Sequence, residues 1–565
     1  YIYMTNIIYQ KLVGDFISKH SSTIFIYMIA TFCTWPSEAI FLSRQYSKLI
    51  ESIKKKTSID TIFNFKENIK RENIFGVLTL ISFIWFILIV FYRIKFSLEE
   101  KIIPLFMSHI RQTLVESIMK SNSNDFNDIK SGEVLAKIND ITFALRSMIV
   151  QTSGKLLPLG LGLITISVYY TFINPIIGGS FFIMHILQLI HHYYSGLEYS
   201  KKCAKRDKTY FLLNEQISDT LNNSMNIHLN NTLEYESNKN KDMNIKHDID
   251  QENEMKHKKD LVMQYNVITI VIFVLMVILS YKLFTKKNIT LPILITIVFI
   301  EIKLVGTMIE FDSTSLHFFQ GLGTILATSN FLNKIFKDKN DKKNCNSKTY
   351  DIEIKNMSFR YNNNTPYIFK DMDLKINRGD NIGIIGQSGS GKSTLMKILL
   401  GLHKITKGSI KIGNCYIENI SDETLRNKIS YINQKTQLFN ESILKNIQYG
   451  NDNLTEEEIL NYMKKFDLDI VYSGLNNGIQ TNAGVNGSKL SLGMQKITIL
   501  LRGIFKTGDI MIFDEPLTGL DSKTKNKVIH MIDNINSQKT VIVITHDDEI
   551  LSRMDEVYNL KDLNN

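Results

Sequence analysis

The sequence predicts a multidomain membrane protein, in which an all-α domain of six membrane-spanning helices is followed by an α/β domain. Two observations predict it. Apolar runs of about 20 residues, the length that crosses a bilayer as a helix, recur six times between residues 22 and 309. Further along, a short apolar strand pattern, a glycine-rich turn and a helix-forming segment follow one another at 381–402. The 44% hydrophobic content and the net charge of +10 therefore average over two unlike halves.

The six apolar runs are each long enough to span a bilayer. They lie near 22–42, 74–94, 156–174, 176–194, 264–284 and 289–309. The first run is the weakest, because Pro36 and Glu38 interrupt it. One such run could be a buried helix of a soluble protein, but six runs upstream of a single α/β domain favour a membrane domain.

The glycine-rich turn has the pattern of a phosphate-binding loop. GQSGSGKST fits G-x-x-x-x-G-K-[ST], in which the glycines let backbone N–H groups face phosphate oxygens. The apolar run NIGII (381–385) precedes it and STLMKILLGL (393–402) follows, so phosphate would lie at a helix N-terminus. Lys392 is expected to reach the β- and γ-phosphates, and Ser393 to offer a hydroxyl to Mg²⁺. The residues predicted to bind nucleotide here are Gly386, Gln387, Ser388, Gly389, Ser390, Gly391, Lys392, Ser393 and Thr394.

A second motif, IMIFDE at 510–515, supplies carboxylates. Four apolar residues predict a buried strand that brings Asp514 to its end, where a carboxylate can hold a metal ion. Glu515, one residue on, is placed to polarise a water molecule. The two motifs together predict a P-loop domain that binds a nucleoside triphosphate with Mg²⁺ and hydrolyses it.

Further motifs follow in the order found in the ATP-binding cassette (ABC) superfamily, which residues 350–565 resemble. The resemblance implies that Tyr361, in MSFRY, stacks on adenine, although an aromatic residue that merely packs on a sheet would look the same. It implies that Gln434, in YINQKTQLFN, contacts Mg²⁺ and the attacking water. Asp521, in TGLD, would face a partner subunit, and His546, after the strand VIVIT, would contact the γ-phosphate.

The signature motif departs from the family pattern. The family has LSGGQ, whereas this chain has LSLGM at 490–494. Ser491 and Gly493, which the resemblance places near the γ-phosphate bound to the other subunit, are retained. Leu492 replaces a glycine and restricts the backbone, and Met494 replaces the glutamine. One expectation is that the site formed between two subunits closes more weakly or slowly. The other is that the changed signature has no effect on closure.

The order of the domains resembles that of exporter-type, multidrug-resistance-like half-transporters. The predicted boundaries are a membrane domain at 1–335, a linker at 336–349 and a nucleotide-binding domain at 350–565. The polar segments 95–155 and 195–263 resemble the long cytosolic helical extensions of such exporters. The resemblance implies a multi-pass membrane protein whose ATPase domain is cytosolic.

The resemblance implies a half-transporter that dimerises and couples ATP binding and hydrolysis to alternating access. A second copy of the chain is favoured over a different subunit as the partner, because Ser491 and Gly493 survive. Membrane lipid and an unidentified cargo are further expected partners. The alternative is an ATP-gated regulatory or channel-like ABC protein with weak hydrolysis, which only the altered signature favours. Nucleic acid is not expected as a partner, because the basic residues are interspersed with acidic ones.

Two features of the membrane domain, the loop 43–72 and Glu301, raise further expectations. With an even number of spans, loop 43–72 lies outside although it is rich in lysine, against the positive-inside tendency. Either it is an exception or the first span is misplaced. Glu301 interrupts the sixth span and is expected to line a cargo path, because ionisable groups at membrane depth usually face protein or water.

Overall fold

The structure is a computed structural model that describes residues 10–54, 74–120, 131–336, 350–362, 364–387, 389–433, 436–535 and 539–563. The chain divides into two compact units, Tyr1–Lys337 and Asp338–Asn565. Most of the predicted linker and residues 55–72 of the basic loop lie outside the described residues.

The first unit is helical throughout most of its described residues. Its helices are α1 (Asp15–Lys19), α2 (Ser21–Pro36), α3 (Ser43–Lys54), α4 (Ile74–Lys120), α5 (Ser131–Gln151), α6 (Leu157–Ile173), α7 (Pro175–Asn222), α8 (Ser224–Leu229), α9 (Leu233–Thr285), α10 (Leu291–Ala327) and α11 (Ser329–Ile335). Segments with π-helical hydrogen bonding precede α1 at Gln10–Gly14, join α2 to α3 at Ser37–Leu42, and join α5 to α6 at Thr152–Leu156.

Five helical stretches of the described chain are long and apolar enough to cross a membrane. They are Gly76–Lys120, Gly132–Ile173, Pro175–Asn222, Leu233–Thr285 and Leu291–Ala327. These overlap the last five predicted spans almost completely. The first predicted span is shorter than expected as an apolar helix, Ser21–Phe32, and the hydrogen-bonding pattern changes at Ser37, directly after Pro36. Proline removes a backbone donor, and such changes of pattern accompany it.

A tight hairpin joins α6 to α7 with a single intervening residue. The Asn174 side chain caps α7 by accepting a hydrogen bond from the Ile176 N–H at 2.9 Å, and Pro175 occupies the first turn. A Cβ atom at Gly178 would lie 2.1 Å from Thr171 Oγ1. The close approach of the two helices therefore requires a glycine at this position.

Ionisable side chains are buried between the long helices. Glu301 is only 2% exposed and accepts a hydrogen bond from the Tyr170 hydroxyl at 3.0 Å. His192 Nε2 lies 2.7 Å from Asp312 Oδ1, and the His192 ring stacks on Tyr265 with 3.8 Å between centroids. Glu301 thus faces neighbouring helices rather than lipid, as the cost of a charge in hydrocarbon favours. Its place in a cargo path stays a prediction.

The second unit combines two sheets with surrounding helices. Its strands are β1 (Ile352–Phe359), β2 (Phe369–Ile376), β3 (Asn381–Ile385), β4 (Lys407–Ile412), β5 (Cys415–Tyr416), β6 (Ile429–Ile432), β7 (Ile510–Asp514), β8 (Thr540–Ile544) and β9 (Glu556–Asn559). Its helices are α12 (Lys392–Leu399), α13 (Asp422–Lys428), α14 (Ile443–Gln448), α15 (Glu456–Lys465), α16 (Leu492–Phe505), α17 (Ser522–Asp533) and α18 (Asp548–Leu551). A parallel sheet has the order β6-β7-β8-β3-β9, and a second, antiparallel sheet the order β2-β1-β4-β5.

The parallel sheet brings the predicted motifs to one edge. Every residue of β7 and β8 is buried, as expected for strands covered on both faces. In the strand register, Ile544 pairs with Ile384 on one side and with Asp514 on the other. The carboxyl ends of β3, β7 and β8 therefore lie level. In sheets of this kind ligands bind at the carboxyl ends of the strands.

Candidate nucleotide-binding site

The phosphate-binding loop runs from the end of β3 to the start of α12. Gly389 has φ +83° and Gly391, the N-cap of α12, has φ +98°. A Cβ atom at Gly391 would lie 2.8 Å from Phe369 Cζ. Both the backbone conformation and the space thus require glycine at 391. The loop consequently turns tightly enough to expose the N-terminus of α12, which favours an anion.

Replacement of Gly391 by alanine is expected to weaken ATP binding by about tenfold or more, because left-handed backbone costs roughly 1–2 kcal/mol for a residue with a Cβ atom, and each 1.4 kcal/mol is a factor of ten. The measurement is binding of a fluorescent ATP analogue to the purified variant. Gly474→Ala is the matched control, because a Cβ atom there meets no atom within 4 Å. Equal affinities for the two variants would contradict the geometry.

Lys392 joins the phosphate loop to the end of β8. Its Nζ donates hydrogen bonds to the carbonyl oxygens of Gly386 and Gln387, the second at 3.2 Å, and lies 3.3 Å from His546 Nε2. The Ser390 hydroxyl is buried and has no hydrogen-bond partner among the described residues. Buried polar groups are normally paired. An ammonium and an unpaired hydroxyl beside exposed backbone fit a phosphate ligand.

Asp514 and Glu515 are held in place by hydroxyl groups. The Tyr431 hydroxyl donates to Asp514 Oδ2 at 2.8 Å, and burial, with the nearby Asp514 charge, raises the pKa of Tyr431 so that it stays a donor. Glu515 Oε2 accepts from Thr518 Oγ1 at 3.2 Å and from Thr545 Oγ1 at 3.4 Å. Glu515 also has φ +52°, a conformation that non-glycine residues adopt at cost and often at functional sites.

The sequence motifs did not identify several of these neighbours. Tyr431 lies on β6, beside the strand that carries Asp514, and Thr545 directly follows β8. Lys496, on α16, is a third: burial lowers its pKa, and the charges of Asp514 and Glu515 partly oppose that shift. These contacts depend on strand order and helix docking, and no residue pattern in the motifs indicates them.

The Tyr361 ring is available to a base. Its hydroxyl lies 2.9 Å from Thr394 Oγ1, which ties it to the helix that follows the phosphate loop. The ring makes an edge contact with His403 at 5.2 Å between centroids, and Tyr361 remains 50% exposed. A half-exposed ring beside the loop is better suited to stacking on a base than a ring buried in the sheet would be.

The signature residues lie at the start of α16. Ser491 is its N-cap, and its Oγ accepts a hydrogen bond from the Met494 N–H at 3.3 Å. Leu492 is 76% exposed, and a Cβ atom at Gly493 would meet no atom within 4 Å. No hydrogen bond joins Ser491 to the phosphate loop within the described part of the chain. The expected approach of Ser491 and Gly493 to phosphate bound by another subunit stays a prediction.

Other predicted site residues have local roles or lie outside the described residues. Asp521 caps α17, accepting from the backbone N–H groups of Lys523 at 3.0 Å and Thr524 at 3.1 Å. Hydrogen bonds from Thr524 hold the pKa of Asp521 below its usual range. Capping this helix is a sufficient reason for an aspartate at position 521, and it involves no contact with a partner subunit. Gln434 and Ser388 lie outside the described residues.

Part of the chain is similar to proteins of a known family. Residues 369–518 match the ABC transporter family model. The chain is 34% identical over 195 residues to an ATP-dependent lipid A-core flippase of Saccharophagus degradans, an alignment that covers 34% of this chain and 33% of the relative. It is 36% identical over 205 residues to the ABC transporter ATM1 of Plasmodium falciparum, which covers 36% of this chain and 19% of that protein. It is 32% identical over 210 residues to a probable ABC transporter ATP-binding/permease protein of Haemophilus influenzae. That alignment covers 37% of this chain and 38% of the relative.

Nearly the whole chain also has a counterpart among solved structures. A bacterial Atm1-family ABC exporter with ATP bound superposes with a TM-score of 0.82 and 17% identity, covering 96% of this chain and 93% of that one. The sequence alignments span 33%, 19% and 38% of the lengths of the flippase, the Plasmodium protein and the Haemophilus protein. The predicted fold class, a helical membrane domain followed by an α/β ABC cassette, is confirmed, with five helices of clear spanning length among the described residues.

Proposed function

We propose that this chain is an ATP-driven export half-transporter, which works as a dimer and couples ATP binding and hydrolysis to alternating access of a membrane pathway. The observation that carries the proposal is the convergence of Lys392, Asp514, Glu515 and His546 at one edge of the parallel sheet, in a chain with the fold of an ABC exporter. The proteins that the chain resembles include a lipid A-core flippase and an ABC exporter of known structure, which supports the direction of transport.

ATP binding follows from groups on both sides of the phosphate loop. Tyr361 stacks on the adenine, while the loop N–H groups and the Lys392 ammonium face the phosphates. Ser393 and Asp514, with Gln434, would hold Mg²⁺. This donor set fits the ion, because Mg²⁺ usually takes one or two carboxylates and completes its shell with water and substrate phosphate oxygens. When bound, Mg²⁺ neutralises charge that develops on the phosphates.

Hydrolysis requires an oriented water molecule on the far side of the γ-phosphate. Glu515 accepts hydrogen bonds from Thr518 and Thr545, which fix its carboxylate one residue beyond Asp514. It serves as the general base that orients and deprotonates this water. His546 lies beside Lys392 and contacts the γ-phosphate, so it can distinguish ATP from ADP at the same sheet edge.

Dimerisation completes each site. The second subunit brings its own copies of Ser491 and Gly493 against the nucleotide, so that ATP binds the closed dimer more tightly than the open one. A ligand can shift a conformational equilibrium only by such a difference in affinity. Hydrolysis removes the difference, and the membrane units return to the other state. A second copy of this chain can serve as partner because both signature groups nearest to phosphate are present.

The purified chain alone, in lipid nanodiscs, is therefore expected to hydrolyse Mg²⁺-ATP with a Hill coefficient above one. Restoring the family motif with Leu492→Gly and Met494→Gln is expected to raise turnover by about two- to fivefold, because glycine removes the exposed Leu492 side chain and lets the backbone approach the nucleotide of the second subunit more closely. The control is Leu229→Gly, which changes an exposed leucine of the first unit and should leave turnover as it is. A chain that is inert alone, and active only with a different second subunit, would contradict the homodimer.

A further inference from the structure

A cavity of about 450 Å³ lies in the first unit, between the helices that extend beyond the predicted spans. Its walls come from α5, α7, α9 and α10, and include Asp140, Arg206, Asp207, Tyr210, His317 and Gln320. A volume of this size is within the range of sites for small molecules. The cavity belongs to no part of the nucleotide site, since all of its lining residues are in the first unit.

Among the described residues that line the cavity, Arg206 carries the guanidinium, and this group is already paired. Arg206 donates to Asp207 Oδ1 from Nε at 2.9 Å and from Nη2 at 2.6 Å, and to Glu254 Oε2 from Nη1 at 3.3 Å. Asp207 Oδ2 also accepts from Thr324 Oγ1 at 2.7 Å. An anionic ligand would have to break these buried pairs to reach the guanidinium, at a high cost.

Asp140 is the cavity carboxyl group that does not pair with Arg206 among the described residues. It lies in the polar segment 95–155, outside the apolar runs, and it lines the cavity. It is partly buried, and neither a hydrogen bond nor an ion pair engages it among the described residues. Burial, and then the nearby Asp207, raise the pKa of Asp140 to about 6, while Arg206 opposes the shift. Three carboxyl groups, Asp140, Asp207 and Glu254, thus surround a single guanidinium, and the local charge is negative when all of them are ionised.

We propose that this cavity binds a small hydrophilic organic cation, a protonated amine whose ammonium group pairs with Asp140. Gln320 and the neighbouring Gln251 line the cavity and offer amide oxygens to the remaining N–H donors. The rings of Phe143 and Tyr210 line it as well, and aromatic faces attract ammonium groups.

The proposed site has a defined dependence on pH. The titratable groups that line the cavity together with Asp140 are Arg206, Asp207 and Tyr210 from α7, His247 from α9 and His317 from α10. As the pH falls through about 6, Asp140 gains a proton and loses its charge. Affinity for the cation is therefore present at neutral pH and lost in acid.

The test is equilibrium dialysis of spermidine against the full chain in nanodiscs of neutral lipid, without nucleotide. Saturable binding to the wild type is expected, with at least about tenfold weaker binding to Asp140→Asn, the scale of a lost charge-assisted hydrogen bond. Asp140→Glu should retain binding. Asp242→Asn, at an exposed position on α9, should bind as the wild type does. No saturable binding, equal binding by Asp140→Asn, or equal binding of citrate would each overturn the proposal.

A measurement on the wild type alone covers the case in which Asp140→Asn does not fold. Affinity for spermidine at pH 5 is expected to be at least about tenfold lower than at pH 7.5, since Asp140 is then largely neutral. An affinity that does not fall over this interval would overturn the site. Because no nucleotide is present, failure here leaves the proposed ATPase untouched, and loss of ATPase activity would leave amine binding intact.

Discussion

The Glu515→Gln variant is expected to bind ATP as the wild type does and to hydrolyse it at least about 100-fold more slowly, the scale of a lost general base. Glutamine keeps the size of the side chain and can still accept a hydrogen bond from Thr518 or Thr545. It cannot take a proton from water. The effect should therefore appear in turnover and not in nucleotide affinity.

The measurement is phosphate release by the purified variant in nanodiscs, alongside binding of a fluorescent ATP analogue. Glu457→Gln is the matched control, because Glu457 is an exposed residue in the first turn of α15. Its turnover should equal that of the wild type. Wild-type turnover by Glu515→Gln would show that another group activates the water.

The Lys392→Ala variant is expected to lose ATP affinity by about 100-fold or more, because a charge-assisted contact to the phosphates disappears along with the side chain that spans the loop carbonyls and His546. The loss should appear in nucleotide binding itself, and turnover should fall with it. This pattern separates Lys392 from Glu515, whose replacement spares binding.

The same binding assay checks this expectation. Lys404→Ala removes an exposed lysine from the same unit and serves as the control for charge. Thermal unfolding of both variants should match the wild type, because Lys392 is not part of an apolar core cluster. A Lys392→Ala chain that binds ATP normally would refute the assignment of the phosphate loop.

Much of the cassette could be predicted from the sequence because its motifs are local. The loop at Gly386–Thr394 and the pair Asp514–Glu515 each follow a short apolar strand, so their positions at strand ends follow from the run alone. The residues that hold these groups, Tyr431 and Thr545, could not be predicted in this way. Their contacts exist because β6 and β8 flank β7, and no local pattern states that order.

In the membrane unit, too, local features could be predicted from the sequence and long-range contacts could not. Apolar runs predict where helices cross, and five of the six have full spanning length among the described residues, whereas the run interrupted by Pro36 is shorter as an apolar helix. The partners of buried polar groups depend on helix packing. Tyr170 and Glu301 are 131 residues apart in the chain, and Asp140 shares a cavity with His317. Hydropathy carries no information on such pairs.

The most direct test of ATP-driven dimer closure is the distance between two copies of the cassette. One spin label at the exposed position Lys523, in a cysteine-free Glu515→Gln background, gives one inter-subunit distance by pulsed electron paramagnetic resonance in nanodiscs. Addition of Mg²⁺-ATP should convert a long, broad distribution into a single short one, and Lys392→Ala should prevent the change. Absence of any inter-subunit distance, or a distribution that Mg²⁺-ATP leaves unchanged, would contradict an ATP-closed dimer of this chain.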